Sequence, residues 1–170
     1  MRLRAPVFIA AALAAAFATP AGTTPPDDIP NPIKWSLKEP AGRSLKRGDR
    51  IAIRLTARVE RGWHLYAMSQ PNGGPTSTRI FLNENQPFRL AGEVAAPKPK
   101  TAFDDNFDRE LDYYDGEAVF TVPVEVAPEA AGGRQQLTIS ARFQSCSSQL
   151  CLPPRLVKLQ TNIEISAPRR

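Results

Sequence analysis

The segment Arg50–Val59 constrains this chain more than any other. Ile51, Ile53, Leu55, Ala57 and Val59 occupy every second position, with Arg50, Arg54 and Arg58 on the opposite parity. Successive side chains of a strand point to opposite faces, so this period of two predicts an antiparallel strand with one buried and one wet face. Residues 135–144 repeat the pattern, with Leu137, Ile139, Ala141 and Phe143 as the inward set. Weaker strand patterns lie at 35–38, 63–67, 78–82, 88–94, 118–126 and 156–165. Turn-forming residues separate them: Arg61-Gly62, the segment 71–75, Asp115-Gly116 and Gly132-Gly133. No segment beyond the N-terminus carries a helical period. Seven to nine short strands at this spacing predict an all-β, immunoglobulin-like β-sandwich. Residues 97–112 break the rhythm. They are acidic after Thr101, carry Phe103 and Phe107 without alternation, and read as a long loop of the kind that is functional or disordered.

The N-terminus has a different grammar. Arg2 and Arg4 precede an alanine-rich apolar run over 7–17, followed by small residues with cleavage points after Ala18 or Ala21. This layout predicts a secretory signal over 1–21. The run is shorter than the roughly 20 apolar residues that cross a bilayer, so no stable membrane insertion is expected. Residues 22–32, rich in proline with Asp27 and Asp28, read as a flexible leader, and 33–170 as one domain. Export is expected from this layout. The net charge is +5, of which Arg2 and Arg4 supply two, leaving +3 scattered among strands. Charge of that size and spread argues against nucleic-acid binding, and a monomer is expected.

Only two cysteines are present, in Phe143-Gln-Ser-Cys146-Ser-Ser-Gln-Leu-Cys151-Leu-Pro-Pro154. With strand-like sequence on both sides, a hairpin with a four-residue loop would set them opposite each other. Facing residues there have Cα atoms about 4.5–5.5 Å apart, within reach of a disulfide. By parity Cys146 lies opposite Phe143, away from the core, and is expected to be reachable by a partner. Pro153 and Pro154 then remove two N–H donors and stiffen the exit. A structural staple is the commoner role for an exported pair. Yet so small a loop gives only about 2 kcal/mol, and a domain of this size has little need of it. A metal site built from Cys146, Cys151, His64 and Met68 is a further reading, although zinc sites usually have four ligands at tighter spacing. No lysine or histidine stands beside either cysteine in the sequence, so the usual devices for lowering a thiol pKa are not evident. A redox pair of this kind would be a quiet exchanger activated by docking.

Four elements in order resemble a known family: Gly62-Trp63-His64-Leu65-Tyr66, Phe103-Asp-Asp-Asn-Phe107, Phe120-Thr-Val-Pro-Val124, and Cys146-x4-Cys151-Leu-Pro-Pro. Together they are similar to the N-terminal periplasmic domain of DsbD, a bacterial thiol:disulfide interchange reductase, from about Ile33 to the end of the chain. The resemblance implies an immunoglobulin-like sandwich with redox cysteines on adjacent strands and no cofactor. It implies thioredoxin-like partners of the disulfide isomerase or cytochrome c maturation type, and a separate membrane electron donor. It implies that Cys151 forms the mixed disulfide and Cys146 resolves it. It also implies a cap loop over the sulfurs, with Phe107 as its aromatic, Asp105 as its first acidic residue, and Tyr66 lining the site. The sequence departs from the pattern at Asn106, where a second carboxylate is sometimes found, and at His64, in place of an aromatic. An immunoglobulin-like binding or chaperone module with a structural disulfide is the alternative from another class.

Overall fold

The computed structural model describes residues 29–38, 42 and 44–167; the expected signal segment and most of the leader lie outside the described residues. Eleven strands and no helix are found among the described residues: β1 Ile33–Lys38, β2 Arg50–Val59, β3 Trp63–Tyr66, β4 Arg79–Leu82, β5 Phe88–Leu90, β6 Lys100–Asp104, β7 Arg109–Tyr114, β8 Glu117–Val126, β9 Gly133–Phe143, β10 Ser145–Ser147 and β11 Arg155–Ile165. They form three antiparallel sheets, in the orders β1-β2-β8-β5, β10-β3-β7-β6 and β11-β9-β4.

The alternation in β2 does what its parity requires. Ile53, Leu55 and Ala57 are buried, and Leu55 sits across from Phe120 of β8, which is equally enclosed. From the facing sheets come Leu137, Ile139, Ala141 and Phe143 of β9 and Leu65 of β3, all in the same apolar cluster. Aromatic rings tie the layers together. Trp35 of β1 stacks on Phe120 at 5.8 Å between centroids and meets Phe143 at 5.4 Å. Tyr114 of β7 meets Phe120 edge-on at 5.6 Å. The β2–β3 and β7–β8 turns place Gly62 and Gly116 at φ +83° and +75°, where a Cβ would be strained, as the two turn signals anticipated.

Residues 97–112 depart from expectation. They hold an antiparallel hairpin, with Ala102 of β6 opposite Leu111 of β7 and Asp104 opposite Arg109. No alternation announced it because β6 is the edge strand of its sheet. Phe103 there is 59% exposed, so the strand is held by its backbone ladder rather than by an apolar face.

Candidate functional site

Gln144 is the point at which the chain changes sheets. Up to Phe143 the strand pairs with β11 and β4; from Ser145 it pairs with β3. Gln144 secures the transfer. Its backbone carbonyl accepts from Tyr66 N at 3.4 Å, its Oε1 accepts from Thr76 N at 2.7 Å, and its Nε2 donates to Leu152 O at 3.2 Å. Cys146 consequently lies directly across from His64. The chain then turns through 147–150, where Ser147 N donates to Leu150 O at 2.8 Å and Ser147 Oγ accepts from the N–H groups of Gln149 and Leu150. It returns so that Cys151 bridges back to Cys146, the two being joined as a disulfide with Cα atoms 4.1 Å apart.

Parity does place Cys146 on the face opposite Phe143, but that face is not open to solvent. Cys146 is 0% exposed, which overturns the expectation that it is directly reachable. The outer face of the β10-β3-β7-β6 sheet carries a second, small cluster of Cys146, Tyr66 and Leu111, against which Phe107, Tyr113 and Cys151 pack. The β6–β7 turn lies over it. Phe107 comes from that turn and meets the Tyr66 ring edge-on at 5.8 Å. Cys151 is only half-buried and is the more open of the two sulfur-bearing residues.

The cluster contains one buried polar pair. Tyr66 Oη donates to Asp104 Oδ2 at 2.6 Å. Burial, reinforced by the Asp104 carboxylate, pushes the Tyr66 phenol well above its ordinary range, so it stays a hydrogen-bond donor. Asp104 Oδ1 accepts from the backbone N of Asn106 at 2.9 Å and from Asn106 Nδ2 at 3.1 Å. The same Nδ2 donates to Ser147 O at 3.1 Å, in the cysteine loop.

Of the residues singled out in the sequence, Cys146, Cys151, Phe107 and Tyr66 come together in this cluster. His64 stands at its edge, its ring 4.0 Å from that of Tyr113 between centroids. Asp105 does not join; it is exposed in the turn, and Asp104 takes the place beside Tyr66. Leu111 and Tyr113 were also missed. The signal that would have found all three is strand parity. Once 100–104 and 109–114 are paired, Asp104, Leu111 and Tyr113 fall on the face of Tyr66. Met68 packs against the main core instead, which separates it from the cysteines as a metal ligand.

The fold and the site define an immunoglobulin-like β-sandwich with one disulfide hairpin enclosed on the outer face of a sheet. The model of the family "Thiol:disulfide interchange protein DsbD, N-terminal" matches residues 37–162, and the chain belongs to that family. Among solved structures, the N-terminal periplasmic domain of ScsB from Proteus mirabilis aligns with a TM-score of 0.52 at 17% identity, over 84% of this chain and 49% of that one. This chain thus spans about half the length of the ScsB structure, and the likeness is one of fold. The reduced DsbD N-terminal domain of Neisseria meningitidis aligns with a TM-score of 0.43 at 18% identity, over 66% of this chain and 76% of that one. Comparison with curated protein sequences gives no match. No helix among the described residues is long and apolar enough to cross a membrane.

Proposed function

We propose that the domain works in the periplasm, after removal of residues 1–21, as a thiol–disulfide exchanger that passes reducing equivalents to thioredoxin-like partners through Cys146 and Cys151. Membership of the DsbD N-terminal family supports the chemistry. The observation that carries the assignment of roles is the unequal burial of the pair: Cys146 is enclosed, and Cys151 is partly open.

In the reduced protein the Cys151 thiolate attacks a partner disulfide. A mixed disulfide forms and one partner thiolate leaves. The Cys146 thiolate then attacks Cys151 Sγ, releasing the second partner thiolate and closing the Cys146–Cys151 bond. Two electrons pass to the partner, and the reverse sequence with a reduced donor recharges the pair. Exchange requires a path to the sulfur under attack. Phe107 limits that path in the closed arrangement, while Tyr66 and His64 line it.

Trapping tests the polarity. A thioredoxin-like partner with a single active-site cysteine, activated as its thionitrobenzoate mixed disulfide, should form a covalent complex with Cys146→Ala through Cys151. Cys151→Ala should form little. Equal trapping by both variants would remove the assignment. The reduction potential tests the exchange itself. A value above about −300 mV fits an exchanger, and one well below it fits a structural staple.

A further inference from the structure

The turn that covers the disulfide is joined to the cysteine loop by one hydrogen bond among the described residues, and a single side chain makes it. Asn106 Nδ2 donates to Ser147 O at 3.1 Å and to Asp104 Oδ1 at 3.1 Å. A carboxamide nitrogen carries two N–H groups and so can serve both acceptors at once. Other contacts of the turn lead elsewhere. Phe107 N donates to Asp104 O at 3.1 Å, Arg109 Nε to Phe107 O at 3.2 Å, and Arg109 Nη1 to Asn72 O at 2.9 Å. These shape the turn and moor its base. They do not hold its tip against residues 147–150.

We infer that Asn106 is the latch of this site: a positioning residue whose carboxamide holds the Phe107-bearing turn closed over the Cys146–Cys151 disulfide and so sets how often the sulfurs are exposed. The anchor point is well chosen. Ser147 follows Cys146 directly, and its own N–H and Oγ are engaged within the loop, so its carbonyl is a fixed target. On the other side, Asp104 is held by Tyr66 beneath the turn. The series Tyr66–Asp104–Asn106–Ser147 therefore runs from the floor of the cluster to the rim of the cysteine loop. An amide is required at 106. A carboxylate there would present acceptors to both Asp104 and Ser147 O, and would repel the first.

The functional meaning of the latch rests on the exchange reading above, but its test does not. With the turn in rapid equilibrium between closed and open, the rate of attack by a small thiol follows the open fraction. Reduction of the oxidised protein by dithiothreitol is measured for the parent, Asn106→Ala, the nearly isosteric Asn106→Asp, Phe107→Ala, and Asn106→Ala combined with Phe107→Ala. Thermal unfolding is followed in parallel. Losing the neutral hydrogen bond to Ser147 O, the one that crosses from the turn to the cysteine loop, should raise the rate about fivefold in Asn106→Ala, with a larger rise in Asn106→Asp. Neither change at residue 106 should matter once Phe107 is gone, because the latch acts only through the cap. Unchanged rates in the folded Asn106 variants would overturn the inference. So would an equal acceleration in the Phe107→Ala background, which would indicate general loosening. Should Asn106→Ala fail to fold, Asn106→Asp decides alone. An accelerated dithiothreitol reaction combined with no exchange between the parent and any thioredoxin-like protein would leave the latch standing and remove the exchange reading.

Discussion

The interior has two apolar clusters built on different rules. The larger lies between the sheets and holds Ile53, Leu55, Phe120, Leu137, Ile139 and Phe143, with Met68 packed against it. The smaller lies on the outer face of the β10-β3-β7-β6 sheet and mixes a disulfide, a phenol and a buried carboxylate under one turn. Apolar side chains pressed between layers gain from burial on every side and have no reason to open. The outer cluster is enclosed by a turn held at its tip, among the described residues, by one hydrogen bond, so it can be both dry and accessible. The disulfide thus sits apart from the packed interior, with β3 contributing to both clusters: Leu65 faces the main core, and Tyr66 the outer face.

The sharpest way to break this division is to damage the main core. Phe120 is fully enclosed between Trp35 and Tyr114, and Phe120→Ala should cost about 3–5 kcal/mol. Denaturant unfolding measures that loss. A comparable loss from Phe107→Ala would mean that the turn is part of the folding core after all.

Removing the disulfide should matter less. Replacing Cys146 and Cys151 together by alanine should cost about 2 kcal/mol, since the loop they close is short. A loss near that of Phe120→Ala would strengthen the staple reading at the expense of the exchanger.

Asp104 sets a third level. Asp104→Leu leaves the buried Tyr66 hydroxyl without its acceptor, at a cost of about 1–3 kcal/mol, and Tyr66→Phe on the same background should recover part of it. The pair also shapes the alkaline limb of the stability curve. A phenol whose pKa is raised in the folded state contributes stability that is complete below its unfolded value of about 10 and is lost as pH rises above it. Unfolding free energies measured from pH 8 to 11 should therefore decline, and Tyr66→Phe should flatten the decline. The same slope in both proteins would show that other groups govern it.

The smallest effect expected is kinetic. His64 faces Cys146 across the strand pair, and an imidazole N–H beside a sulfur can donate to the thiolate and favour it. His64→Phe should slow alkylation of the reduced protein a few-fold, with a change in stability under about 1 kcal/mol. An unaltered alkylation rate would assign His64 to packing on Tyr113 alone.

Much of the main core was legible because its signal is local. The period of two in β2 and β9 is written in consecutive residues, and the Gly62 and Gly116 turns follow from glycine's freedom at positive φ. The hairpin of β6 and β7 was not legible, since an edge strand satisfied by its backbone needs no apolar alternation. The resemblance put the first acidic residue of the cap at Asp105, which is exposed in the turn, whereas Asp104, one position earlier, is the buried carboxylate that accepts from Tyr66.

What the sequence determined by itself was the all-β class, the main inward faces, the family motifs, and the facing of Cys146 and Cys151 across a short loop. Each depends on residues within a few positions of one another. The environment of the pair was decided by tertiary structure alone. No histidine stands near Cys146 along the chain, yet His64 is its cross-strand neighbour, because the strand changes sheets at Gln144. The outer face of that sheet looked open by parity, yet it is closed by a turn some forty residues earlier, latched through Asn106 and Ser147. Parity states which way a side chain points; only the packing of distant strands states what it meets there.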